Sequence, residues 1–204
     1  HLLRHFAFDR HRGFRWFSWI TGVILIWLVY ITGINGFMLV WDKLAQFVTV
    51  STAELLDWIP IFKGVVIRNF IFEGHVNDRL FTLLAFVHLG APLLVLMVMW
   101  IHVQRVPRAH TNPPKAIAIW VTVTFLVLSL VRPVVSQGPA NLSVEVGSLD
   151  FDWFYLPIYP LIYEWPLASL WGFLIGTSVF LYLLPWLPPK RRGSAKAELD
   201  ISVH

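Results

Sequence analysis

Two histidines, His88 and His102, lie fourteen residues apart in one long apolar segment of the sequence. In an α-helix this spacing advances the chain about 21 Å and almost four turns, so both imidazoles project from one face. Ionisable side chains at membrane depth are costly and usually functional. Because imidazole is a common axial ligand of haem iron, the pair predicts two metal-binding positions, one near each membrane surface. The alternative is that each histidine only hydrogen-bonds a neighbouring helix.

A pair of glycines with the same spacing occurs in the preceding apolar segment. Gly22 and Gly36 are also fourteen residues apart. If the two segments form antiparallel helices, Gly36 lies at the depth of His88 and Gly22 at the depth of His102. Glycine permits the close backbone approach that a flat macrocycle between helices requires, although small residues are also common at ordinary helix–helix interfaces. The matching spacing on two segments favours a pair of cofactor sites.

Four apolar segments are long enough to position these residues across about 30 Å of hydrocarbon, a thickness that takes about 20 helical residues. The predicted helices A, B, C and D cover residues 16–40, 80–103, 116–135 and 167–186. In the loop between helices A and B, residues 52–62 predict a capped amphipathic helix on the membrane surface. We therefore predict an all-α integral membrane protein with four transmembrane helices in a haem-binding bundle.

The composition supports a membrane protein and excludes several kinds of site. Of the 204 residues, 57% are hydrophobic and only 14% are charged, whereas about a quarter are charged in soluble domains. The chain contains no cysteine, which excludes disulfides, thiolate metal sites and covalent c-type haem attachment. The formal charge of +4 is small and scattered, so we expect no nucleic-acid partner.

Charges in the loops predict the orientation of the bundle. The acidic residues of the loop between helices C and D have no Lys or Arg among them, whereas basic residues cluster before helix A, between B and C, and after D. The positive-inside rule then places both termini in the cytoplasm and the protein in a bacterial-type inner membrane. The predicted regions are a cytoplasmic basic segment at 1–15, a transmembrane domain at 16–189 and a cytoplasmic tail at 190–204.

Several stretches resemble one protein family. His88 to His102, continuing as Val103-Gln104-Arg105-Val106, resembles helix B of the cytochrome b subunit in quinol–cytochrome c and quinol–plastocyanin oxidoreductases. The run Tyr30-Ile31-Thr32-Gly33, with Gly22 and Gly36, is similar to helix A of that family. Residues 115–141 and the run Asp152-Trp153-Phe154-Tyr155-Leu156 look like the C-terminal part of the family, around its quinol-oxidation loop. The resemblance covers most of residues 16–189.

The resemblance implies a set of cofactors and site residues. His88 and His102 would each ligate a b haem, giving one or two haems, and a bound quinone is a further candidate. Asp152 and Tyr155 would bind the quinol headgroup, and the carboxylate would accept its proton; the alternative for both residues is a solvated acidic loop. Arg105 and Arg15 would pair with haem propionates, although positive-inside signalling explains both arginines equally well.

The chain departs from the family in its second axial ligands. The family helix that carries the other two histidines has no counterpart, and the predicted helices C and D contain no His. On the cytoplasmic side the candidates are His11, which we favour, and His1, His5 and His110. On the outer side the candidate is His75. Otherwise the ligand belongs to a partner subunit, or one haem is five-coordinate or absent.

These observations predict a membrane cytochrome b subunit. It would transfer electrons between a quinone pool and a partner redox subunit of the iron–sulfur or cytochrome c type, as the electron-transfer part of a membrane oxidoreductase complex. The alternative is a non-redox membrane anchor or assembly subunit that kept the fold and lost its cofactors. A small transporter is less favoured, because the sequence shows no broken helix pair or inverted repeat.

Overall fold

The computed structural model describes residues 1–72, 75–76, 78–106 and 112–188, and for residues 72 and 75 it describes the backbone alone. The predicted cytoplasmic tail at 190–204 and the candidate ligand His110 lie outside these ranges. The helices are α1 (Leu2–Ala7), α2 (Trp16–Val40), α3 (Lys43–Asp57), α4 (Val65–Phe70), α5 (Asp78–Gln104), α6 (Lys115–Val131), α7 (Tyr159–Glu164) and α8 (Leu167–Leu183). Two short 3₁₀ turns, Gly13–Arg15 and Leu184–Trp186, flank α2 and α8, and strands β1 (Ile71–Phe72) and β2 (His75–Val76) form a small hairpin.

Three helical segments of the described chain are long and apolar enough to cross a membrane. They are Gly13–Val40, Asp78–Gln104 and Leu167–Trp186, which correspond to the predicted helices A, B and D. The predicted helix C, at 116–135, is instead the shorter apolar helix α6 of 17 residues. It ends early because Arg132 precedes Pro133, and the residue before a proline disfavours helical backbone. The described chain thus has three helices of full spanning length, and the fourth predicted helix is α6, whose 17 residues lie at the lower limit of the length that crosses a membrane.

The helix between α2 and α5 differs from the predicted surface helix at 52–62. Helix α3 begins at Lys43, where the Asp42 side chain accepts a hydrogen bond from the Ala45 amide at 2.8 Å. Thr52, predicted to cap the helix, lies inside it and donates its hydroxyl to the Val48 carbonyl. One face of α3 is buried, so this helix packs within the protein instead of lying only on its surface. A carboxylate cap ten residues upstream of Thr52 sets the true start.

The C-terminal part of the chain packs on α3 through ring hydroxyl and indole groups. Three hydrogen bonds join them: Tyr159 Oη to Thr52 Oγ1 at 2.8 Å, Tyr163 Oη to Ser51 Oγ at 3.0 Å, and Trp171 Nε1 to the Leu55 carbonyl at 3.0 Å. Burial raises the pKa of the Tyr159 phenol, which therefore stays protonated. These contacts hold α7 and the start of α8 beside α3.

A loop after α6 is fastened to the start of α3. The Gln137 amide donates to Asp42 Oδ2 at 3.0 Å. The Gln46 side chain exchanges two hydrogen bonds with the backbone of Asn141, at 2.9 and 2.6 Å. Because Asp42 directly follows the end of α2 and its Trp41 cap, these bonds fix the loop at the same end of the bundle as Gly36.

The largest helix pair of the fold is α2 against α5, and the rest of the protein is arranged around one end of it. The main buried cluster draws on α2, α3, α5, α7 and α8, and its members are Ile34, Met38, Leu44, Val48, Leu80, Leu84, Leu156, Tyr159, Ile162 and Leu170. A smaller cluster at the other end contains Trp19, Val23 and Leu184. Helix α6 buries none of its residues within the described chain.

Candidate functional site

The pairing of α2 with α5 brings each predicted histidine to its predicted glycine. A Cβ built on Gly22 would lie 3.4 Å from His102 Cε1, and one built on Gly36 would lie 3.3 Å from His88 Cε1. The two helices therefore run antiparallel, and the two matched spacings are in register. Any side chain larger than that of glycine at either of these two positions on α2 would press against the facing imidazole.

We call Gly22 with His102 the inner pair and Gly36 with His88 the outer pair. At the inner pair, Thr21 fixes the orientation of the His102 ring. The Thr21 hydroxyl lies 2.9 Å from His102 Nδ1 and also contacts the Phe17 and Ser18 carbonyls at 3.0 and 3.1 Å. A hydroxyl has one proton, so when that proton goes to a carbonyl the oxygen accepts from Nδ1–H. This tautomer leaves the lone pair of His102 Nε2 for a metal, the arrangement that outer-sphere partners of metal-ligating histidines produce.

At the outer pair, polar atoms are buried without partners among the described residues. His88 Nδ1 has no hydrogen bond there, and neither does Oδ1 of Asn35, the neighbour of Gly36 on α2. Leaving a buried polar atom unpaired costs about 1–3 kcal/mol. Such atoms in a folded protein need an explanation, and a bound group is one.

Near the inner pair, the histidine that approaches His102 is His1. The ring centroids of His1 and His102 are 6.4 Å apart, and His5 lies 4.5 Å from His1. The favoured candidate, His11, is buried between the rings of Phe6 and Trp19, at 5.4 and 5.1 Å. The sequence favours His11 as the ligand of an inner haem, and in the structure the histidine whose ring approaches His102 is His1.

The electrostatics of the N-terminal segment keep His5 neutral. Burial lowers the pKa of His5, and the positive charges of Arg10, Arg15 and Arg4 lower that pKa further. His11 Nε2 lies 3.8 Å from Asp9 Oδ1.

The two predicted propionate partners differ in position. The Arg105 guanidinium lies 5.0 Å from the centre of the Phe17 ring, and Phe17 is the residue whose carbonyl contacts Thr21. Arg105 is therefore close to the inner pair. Arg15 lies 5.3 Å from the centre of the exposed Phe14 ring. His75, predicted as an outer ligand, is in strand β2 at the start of α5, and its side chain is outside the described part of the chain.

The loop that contains Asp152 brings Tyr155 onto α2. Asp152 Oδ1 accepts hydrogen bonds from the Phe154 and Tyr155 amides at 2.6 and 2.9 Å, which caps the turn that carries the tyrosine. The Tyr155 ring lies so close to Gly33 that a Cβ there would overlap it. It also stacks on Tyr30 with 6.2 Å between ring centroids.

Gly33 is thus a site residue whose contact could not be predicted from the sequence. In the sequence, the run Tyr30-Ile31-Thr32-Gly33 shows only its resemblance to the family. The contact of Gly33 with Tyr155 involves a loop more than a hundred residues away, and no periodicity within α2 predicts that contact. Gly33 is three residues, or about one turn, from Gly36. Tyr155 therefore lies at about the depth of the outer pair on α2.

The sequence model of the family described as cytochrome b (N-terminal)/b6/petB matches residues 1–131. The chain belongs to this cytochrome b family. The match includes the whole of α2 and α5 and hence both histidine–glycine pairs. With three apolar helices of spanning length, this cytochrome b homologue is a multi-pass membrane protein.

Similar proteins share low identity over nearly all of this cytochrome b homologue. The cytochrome b/c1 of Bradyrhizobium diazoefficiens is 24% identical over 96% of the chain and 33% of its own length. The cytochromes b of Rickettsia conorii and Rhodospirillum rubrum are each 22% identical over 96% of the chain, and 56% and 55% of their own lengths are covered. The chain thus spans about half the length of these cytochromes b and a third of the b/c1 protein. No solved structure matches it significantly.

Proposed function

We propose that this protein is a membrane cytochrome b subunit that binds haem b at His102 and at His88 and transfers electrons between a quinone pool and a separate redox partner. The observation that carries the proposal is the pair of histidine–glycine contacts, at two depths of the same antiparallel helix pair. The family of residues 1–131 and the names of the relatives support it. Because the chain spans only about half the length of these cytochromes b, the redox partner, of the iron–sulfur or cytochrome c type, is also part of the proposal.

The residues of α2 and α5 fit a haem that is bound between helices. Haem supplies reversible one-electron chemistry to the protein when it is bound. His102 and His88 would supply Nε2 ligands, Thr21 holds the inner ring in the required tautomer, and Arg105 is the cation that lies near the inner site. Fourteen helical residues separate the two ligands by about 21 Å, enough to carry electrons across most of a membrane.

The glycines allow a macrocycle to approach the backbone of α2. At both positions the space beside the glycine is already limited by an imidazole ring. A flat group seated on that ring has room only if the facing residue has no side chain.

The experiment that tests electron transfer is reduction of the bound haem by a quinol. The full chain in lipid nanodiscs should show the absorption changes of haem reduction when a soluble ubiquinol analogue is added. The rival, a non-redox membrane anchor, predicts no haem absorption at all. Bound haem that dithionite reduces and quinol does not would reject the quinone link while leaving haem binding intact.

The quinol headgroup site is proposed between the end of α6 and residues 152–159. Asp152→Asn removes the carboxylate charge but keeps the oxygen that caps the Phe154 and Tyr155 amides. Because a neutral amide cannot accept the quinol proton, we expect haem reduction by quinol to slow at least ~10-fold with the fold unchanged. Stopped-flow spectroscopy measures the rate.

The control for this substitution is Glu145→Gln, which removes a charge from the same acidic loop at an exposed position. It should leave the rate unchanged. Equal rates in Asp152→Asn and the unmodified chain would assign Asp152 a capping role alone.

The proposed topology has both termini in the cytoplasm of a bacterial-type cell. The chain contains no cysteine, so single introduced cysteines report unambiguously. We expect Ser143→Cys, in the acidic loop, to react with a membrane-impermeant maleimide on spheroplasts. Val106→Cys, after α5, should react only after the membrane is permeabilised. Labelling of Val106→Cys from outside would reverse the orientation.

A further inference from the structure

We propose that His1 is the second axial ligand of the inner haem, opposite His102. The inference rests on the proposed function, because it assigns the remaining coordination position of that haem. The candidate α6 and α8 helices contain no histidine, so the ligand must come from elsewhere.

The distance between the two rings is compatible with a metal ion shared by both. Two imidazoles on opposite sides of one metal ion have ring centroids about 6 Å apart, since each metal–nitrogen bond is about 2.0 Å and each nitrogen lies about 1.1 Å from its ring centre. The centroids of His1 and His102 are 6.4 Å apart. The centroids of His1 and His5, at 4.5 Å, are too close for a metal ion between the two rings.

The segment that carries His1 is held against the inner end of the bundle. Leu2, which follows His1, packs on the cluster of Trp19, Val23 and Leu184. The Arg12 guanidinium donates to the Leu187 carbonyl and, at 3.3 Å, to the Pro188 carbonyl. These contacts join the N-terminal segment to α2 and to the end of α8, so His1 faces His102 by tertiary packing.

The neighbouring histidines have other surroundings. His11 is 2% exposed, its ring is enclosed by Phe6 and Trp19, and neither of its ring nitrogens has a hydrogen-bond partner among the described residues. The ring of His5 contacts the ring of His1, with 4.5 Å between their centroids. The distance and the anchoring therefore select His1 from the N-terminal histidines.

The experiment uses the full chain with His88→Ala, so that only the inner haem remains. With His1 intact, the ferric haem should be low-spin and the ferrous haem should not bind carbon monoxide, because both axial positions are filled. Adding His1→Ala should give a high-spin, five-coordinate haem that binds carbon monoxide. Millimolar imidazole should restore the low-spin spectrum. The matched control, His5→Ala in the same background, should stay low-spin.

The outcomes separate this proposal from the proposed function. A low-spin spectrum that persists after His1→Ala would overturn the assignment, as would a haem-free variant that imidazole and haem together do not restore. In the chain that retains His88, His1→Ala should raise carbon monoxide binding by one haem per chain, which provides a second readout. Absence of haem from the unmodified chain would instead reject the haem sites themselves.

Discussion

Replacing His102 with alanine is expected to remove the inner haem while the outer haem stays bound. In the proposed site the His102 imidazole is the iron ligand, and alanine has no atom that ligates iron. The haem content of the purified protein should therefore fall by one haem per chain. His88→Ala should remove the outer haem in the same way. Pyridine haemochrome absorbance per mole of protein measures both losses.

A milder substitution tests whether the Thr21 hydroxyl orients the His102 ring. Thr21→Val removes the hydroxyl at 2.9 Å from His102 Nδ1 while keeping a similar volume. Loss of such an outer-sphere partner typically costs 10–100-fold in metal affinity, so we expect inner haem to dissociate faster by a similar factor. Thr122→Val is the matched control, since among the described residues that hydroxyl hydrogen-bonds the Ala118 carbonyl on α6.

Unchanged haem content in His102→Ala would contradict the ligand assignment.

The second large effect is expected from a leucine at Gly36. A Cβ there already meets His88 Cε1 at 3.3 Å, so the longer side chain must fill the space that a macrocycle would occupy. We expect the outer haem to be lost and the inner haem to be retained. Gly22→Leu should have the reverse effect at His102. Haem content and redox difference spectra distinguish the two haems.

The control for the glycine substitutions is Gly176→Leu in α8. A Cβ at Gly176 meets nothing within 4 Å, so this variant adds the same apolar bulk without blocking a site. It should insert in the membrane and bind haem normally. Equal haem occupancy in Gly36→Leu and Gly176→Leu would show that the glycines serve ordinary helix packing.

The haem-related register of α2 and α5 was predictable because it depends only on helical geometry. Two spacings of fourteen residues on consecutive apolar segments place Gly22 opposite His102 and Gly36 opposite His88 once the helices are antiparallel. The all-helical architecture and the first two spans follow from the same periodicity and length. Family membership of residues 1–131 confirms the resemblance carried by these residues.

The remaining features depend on contacts distant in the sequence or on competing local signals. Thr52 has the residue type of a helix cap, but Asp42 supplies the cap and is also held by Gln137. Helix α6 stops before Pro133, where hydropathy alone predicts that it continues. The sequence favours His11 among the N-terminal histidines, whereas the packing of the N-terminal segment on α2 and α8 brings the ring of His1 toward His102.

The most direct test of the account is the pyridine haemochrome spectrum of the purified full chain, with its dithionite-reduced minus oxidised difference spectrum. We expect non-covalent haem b that acidic acetone extracts, with two haems per chain when haem is bound at both histidine–glycine pairs. Protein that folds in the membrane and carries no haem, even after haem is supplied, would contradict it.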